Sequence, residues 1–147
     1  MTKVADVARY ILDKLCTEDK SITAWKLQKL VYYSQAWSLV WDERKLFEER
    51  IEAWADGPVC PELYKLHQGK LDLYPKNIEG DPTNLDNTAI ETIDAVLGFY
   101  GDKSGSYLRA LTHLERPWLE TRGDTLPGHR SNAEISWSIM AEYYGGL

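Results

Sequence analysis

Cysteine is scarce in this chain of 147 residues: Cys16 and Cys60 are the whole supply, with no CxxC pair and no zinc-ligand spacing. That excludes a disulfide-framed fold and reads as two reduced thiols in a cytoplasmic protein. Basic residues are outnumbered, 17 Lys and Arg against 23 Asp and Glu, for a formal net charge of -6. An acidic chain lacks the basic face that binding to phosphate backbones uses, so nucleic acid is not expected as a partner. No long hydrophobic run is present either. The most apolar stretch, residues 22–41, is interrupted by Lys26, Gln28, Lys29, Ser34, Gln35 and Ser38, so no membrane span is expected. The opening residues carry Lys3, Asp6 and Arg9, which no signal-peptide core of about 7–15 apolar residues would tolerate.

What is present is globular composition, 44% hydrophobic and 27% charged. The length suits a single domain over residues 1–147, expected to bury roughly 68–70% of its unfolded surface. Aromatic usage is skewed: 6 Trp and 9 Tyr against 2 Phe. Rings with a polar handle serve where one end is dry and the other is met by a donor or acceptor, at the margin of a core or in an interface.

Hydrophobic spacing gives helices. Val4, Val7, Ala8, Ile11, Leu12 and Leu15 recur at i, i+3, i+4, i+7. Ser21 or Thr23 can cap a second helix running to about residue 41, and past Lys29 that helix is apolar nearly all round. A helix apolar on every side belongs at the centre of a fold. Residues 42–50 are highly charged and read as a surface loop, and residues 51–55 alternate as a short extended element before an Asp56-Gly57-Pro58 turn. A helix is expected from Pro61 to Gln68, then an irregular stretch over residues 70–86. Thr88 with Glu91 fits a capping box for a long helix stopped by Gly101; Ser104 or Ser106 opens the next, and Pro117 starts a short one. Ser131 with Glu134 fits a second capping box, opening a last helix to about residue 144. With no strand–helix alternation, the expected class is all-α: a compact bundle of five to six helices around the central apolar helix, with one short β element near residues 51–55.

Residues 77–102 hold six acids (Glu79, Asp81, Asp86, Glu91, Asp94, Asp102) and no Lys or Arg. This is a solvated face or a docking surface for a basic partner. The motifs of catalysis are missing: no HExxH, no GxSxG, no GxGxxG. His113 and Glu115 form the HxE of nucleobase deaminases without the PCxxC that supplies their thiolates. Gly101-Asp102-Lys103-Ser104 imitates a P-loop ending, but Asp102 would repel phosphate there. The residues therefore call for no metal, no cofactor and no catalytic set.

Three segments belong together: the WKLQKLVYYSQAW run from Trp25 to Trp37, the IEAWADGPV run from Ile51 to Val59 leading to Tyr64, and LTHLERPW from Leu111 to Trp118. In this order they resemble the Panacea antitoxin domain, also called SocA-like, which includes prophage-encoded GepA-like proteins. Val31 stands where that pattern usually has Leu, and Cys60 where it usually has an aliphatic residue. The resemblance implies a non-enzymatic antitoxin that neutralises a cognate protein toxin, encoded beside it, by direct binding; one variant of the theme delivers the toxin to an ATP-dependent protease. Other classes remain: a DNA-binding regulator of a prophage or toxin–antitoxin operon, and an enzyme acting through His113 and Glu115. Trp54 and Trp118 are anchors able to bury about 150–250 Å² each. With the polar tips of Lys26, Gln28, Tyr32, Asp56, Tyr64 and His113 they form the candidate toxin-binding set. The same tips equally suit a buried polar network that fixes how the helices dock.

Overall fold

The computed structural model describes residues 2–147. Its described residues form seven α-helices and four short strands in the order α1 (Val4–Leu15), β1 (Ile22–Thr23), α2 (Ala24–Trp41), β2 (Glu52–Trp54), β3 (Gly57–Val59), α3 (Pro61–His67), β4 (Asp72–Leu73), α4 (Asn87–Tyr100), α5 (Gly105–Leu114), α6 (Arg116–Arg122) and α7 (Trp137–Gly145). The helical bundle is as expected, with seven helices rather than the five to six counted; α3 and α6, both anticipated as short helices, are 7 residues each. No described helix is long and apolar enough to cross a membrane.

α2 is the hub. Thr23 caps it by accepting from the Lys26 N–H, and it packs against α1, α4, α5 and α7 and against β1 and β3. Twelve of its residues are buried, Gln28, Lys29, Ser34, Gln35 and Ser38 among them. Buried amides need partners, and here they take the backbone of passing loops. Gln28 Oε1 accepts from the Cys60 N–H at 2.9 Å while its Nε2 donates to the Cys60 carbonyl at 3.3 Å. Two turns on, Gln35 Oε1 accepts from the Leu46 N–H at 2.7 Å and its Nε2 donates to the Phe47 carbonyl at 2.8 Å. The charged loop after α2 is consequently anchored: Leu46 and Phe47 are buried although their neighbours are solvated.

Part of the aromatic surplus forms a buried cluster. Glu115, at the α5–α6 junction, accepts from Tyr33 at 2.7 Å and Tyr144 at 2.8 Å, and Tyr144 meets the Tyr32 hydroxyl at 3.0 Å. Tyr33 stacks on Tyr100 at 4.1 Å, and Trp37 Nε1 donates to the Tyr100 hydroxyl. Burial pushes the Glu115 carboxyl above its usual range against the two phenol donors.

Several local expectations change. The helix after residue 86 starts two residues earlier than a Thr88 cap would place it, because Asp86 accepts from the Ala89 N–H and caps it. Residues 131–135 are extended rather than helical: Ala53 N–H donates to the Ala133 carbonyl and Ile135 N–H to the Ile51 carbonyl, so this segment lies along the free edge of β2. α7 begins only after Ser136, whose hydroxyl accepts from the Ile139 N–H. The turn at residues 56–58 also moves. β2 and β3 form an antiparallel hairpin with Trp54 opposite Gly57, leaving Ala55 and Asp56 as its two-residue loop. Pro58 then sits on the outer strand, where a missing N–H is tolerated. Within residues 70–86, β4 pairs with β1.

Candidate functional site

The β2–β3 hairpin stands over the junction of α2, α3, α5 and α6, and its support is specific. Trp118 Nε1 donates to the Trp54 carbonyl at 2.8 Å. His113 stacks on the other face of this assembly, its ring 4.0 Å from Trp118 and tilted only 7° from it. The Arg122 guanidinium lies 5.0 Å from the Trp118 ring. It donates to the Ala53, Leu126 and His129 carbonyls at 3.1, 3.0 and 2.7 Å. Arg122 is only 5% exposed, so this buried cation is satisfied by three carbonyl dipoles and ties the loop before residue 130 to the hairpin.

Two clefts flank the hairpin, and Asp56 at its tip lines both. The larger, about 720 Å³, is walled by Glu52, Trp54, Tyr64, Arg130 and Asn132. Tyr64 meets Trp54 edge-on at 5.1 Å and Trp25 at 6.2 Å, so a line of half-buried rings connects the two clefts. The second, about 400 Å³, is lined by Trp25, Lys29, Ser104, Gly105 and Arg109. On its lip Arg109 pairs with Asp56 at 3.3 Å.

Lys29 is the unusual group here. It is 1% exposed, and its Nζ has no hydrogen-bond partner. Burial pulls its ammonium down to about 8, with Asp56 opposing the shift and Arg109 adding to it. Gly57 makes this position possible: a Cβ there would fall 2.6 Å from Lys29 Cε, and its φ of +122° is one that side chains rarely adopt. Burial first, then the Arg109 and Lys29 charges, hold His113 below the usual imidazole range, and its Nε2 is also buried without a partner.

The predicted set divides. Trp54, Asp56 and Tyr64 come together at the hairpin surface; Trp118 and His113 lie directly behind it. Gln28 and Tyr32, each 1% exposed, face the interior and act as the loop clamp and core hydrogen bond described above. Lys26 donates to the Gly101 carbonyl at 2.7 Å and fastens α2 to the end of α4. Sequence reasoning left Trp25, Lys29, Arg109 and Arg122 out of the candidate set. The signal for Lys29 was there: a lysine in a helix apolar all round has no solvent to point to. Arg122 carried none, since its acceptors are backbone carbonyls, two in the loop just after α6 and one in β2, and no side-chain type marks them. Among the described residues, no group of three or more His, Cys, Asp and Glu is gathered as a metal centre needs.

Comparison with known proteins places this architecture. The family described as "Antitoxin SocA-like, Panacea domain" matches residues 27–119, which takes in most of the hub helix, the hairpin and the His113–Trp118 stack. The chain belongs to this antitoxin family. Antitoxin SocA of Caulobacter vibrioides (strain NA1000 / CB15N) is 33% identical over 124 residues, covering 76% of this chain. The chain spans 66% of that relative's length, just under two thirds. No solved structure matches. The family match begins at Leu27 and ends at Leu119, so α1, Trp25 and α7 of this SocA-like chain lie outside it.

Proposed function

We propose that this member of the antitoxin family neutralises a protein toxin encoded beside it by direct binding, and that the hairpin with its larger cleft is the docking face. The observation that carries the reading is the cleft of about 720 Å³ walled by Trp54 and Tyr64 in a chain of an antitoxin family. Half-exposed Trp and Tyr side chains are the residues that anchor protein interfaces, giving large contact area for few rotatable bonds. The hairpin is braced from behind by Trp118, His113 and Arg122, so the face is preformed and little ordering cost falls on association. Of the six acids in residues 77–102, Asp86 is paired with Arg44 at 2.6 Å and Asp94 accepts from Tyr10; these carboxylates have partners within the fold, which favours the hairpin over that segment as the docking face.

The test is growth rescue. Expression of the adjacent gene alone arrests growth, and co-expression of this chain restores it; failure of rescue with every adjacent gene rejects the reading. Delivery of the captured toxin to an ATP-dependent protease extends the proposal, and predicts that protection disappears in cells lacking that protease.

A further inference from the structure

A lysine that served only to fill volume in α2 would be better replaced by methionine, since burying an unpaired cation is costly. Lys29 nevertheless stands there with a free Nζ, beside the cleft of about 400 Å³. The opposite wall of that cleft is the start of α5, a helix of 10 residues. Ser104 spends its hydroxyl on the Tyr107 N–H, which leaves the Gly105 and Ser106 N–H groups without intrahelical acceptors at the positive end of the helix dipole. Arg109, one turn on, brings a second cation. A buried ammonium with no hydrogen-bond partner, its one aromatic neighbour the Trp25 ring at 5.5 Å, two free amides and a guanidinium on one small cleft are complementary to an anion.

The charge count narrows the class. Lys29 and Arg109 are offset by Asp56 alone among the charged side chains lining the cleft, a surplus of one positive charge. One surplus charge matches a carboxylate better than a doubly charged phosphate. Continuity narrows the source: Asp56 lines both clefts, and the Trp25–Tyr64–Trp54 line runs from one to the other. We infer that the cleft beside Lys29 is a carboxylate-binding site, and that its occupant is an acidic side chain of the protein docked on the hairpin. The inference rests on the docking face proposed above. The incoming carboxylate takes the Lys29 ammonium and the α5 amides, and so fixes the register of a partner otherwise held by aromatic contact.

The experiment uses the whole chain and a capped Ala-Glu-Ala peptide, with its Ala-Gln-Ala counterpart and inorganic phosphate as comparison arms, followed by amide-resolved NMR at constant ionic strength. The Glu peptide is expected to give saturable shifts at Gly105, Ser106 and the Trp25 indole, with the Gln peptide and phosphate about tenfold weaker, the size of one charged hydrogen bond. Lys29→Met abolishes the shifts, and the surface substitution Arg109→Ala weakens them, which keeps the test decisive should the core variant fail to fold. No saturable shift with the Glu peptide, equal binding of the two peptides, shifts that survive Lys29→Met or are indifferent to Arg109→Ala, or phosphate saturating at the lower concentration each overturns the inference. No toxin enters this measurement, so its failure and a failure of growth rescue are separate results.

Discussion

Replacing Lys29 by methionine removes a buried ammonium that has no hydrogen-bond partner and only the Trp25 ring, 5.5 Å away, as a cation–π neighbour, while keeping most of the side-chain volume. In the folded chain the Lys29 ammonium titrates at about 8 against an ordinary value of 10.5. The folded form has thus lost affinity for the proton, and between those two values the unfolded chain binds more protons than the folded one. Stability contributed by this group therefore rises with pH across about 8 to 10.5, and the full penalty is present below about 8. Each unit of difference corresponds to about 1.4 kcal/mol, so the penalty at pH 7 is roughly 3 kcal/mol. Lys29→Met should unfold at higher urea than the parent at pH 7, and its advantage should shrink by about 2 kcal/mol by pH 9.5. Urea unfolding followed by Trp fluorescence measures both, and the difference between the two proteins cancels the titration of the tyrosines they share. A stability difference that stays constant from pH 7 to 9.5 would refute the reasoning, since it would mean that the ammonium is solvated or paired.

Gln28→Ala strips both partners from the buried Cys60 backbone and should cost about 3 kcal/mol in chemical unfolding, since each buried group left unpaired costs about 1–3 kcal/mol. Gly57→Ala meets both a positive φ and the Lys29 stem, and should lower stability by about 2 kcal/mol or more, read as a drop in Tm. Trp118→Phe keeps an aromatic ring but loses the bond to the Trp54 carbonyl and part of the buried indole's volume; a loss of about 2 kcal/mol is expected in urea unfolding. For Glu115 the folded carboxyl is raised by burial, so the wild type loses stability as pH climbs above 4.5 toward that raised value. Glu115→Gln should flatten this slope in thermal scans between pH 4 and 7.

The helical skeleton was legible because its signals are local. The apolar spacing of α1 places that helix where the structure has it, and of the paired cap candidates Ser21 or Thr23 and Ser104 or Ser106 the structure uses Thr23 and Ser104. The all-round apolarity of α2 correctly put it at the centre. What was not legible depends on distant partners. Residues 131–135 carry a helix-start pattern, yet the free edge of β2 offers them backbone hydrogen bonds and wins. The site was half visible. Trp54, Asp56 and Tyr64 are close in sequence and meet in one cleft. Gln28 and Tyr32 have the same polar tips but point inward, because α2 is enclosed and its amides and hydroxyls serve the fold. Side-chain direction within a fully packed helix is set by its neighbours, which no residue of α2 announces by itself.

The central claim, that the hairpin face grips a protein toxin, is tested most directly by co-purification of the adjacent gene's product with the wild type and with a Trp54→Ala, Tyr64→Ala double variant. Both rings are half-buried at the surface, so the variant is expected to stay folded by circular dichroism. The account predicts a stable complex with the wild type and at least about a hundredfold weaker capture by the variant, the loss of two aromatic anchors. Equal capture by a folded double variant would contradict it.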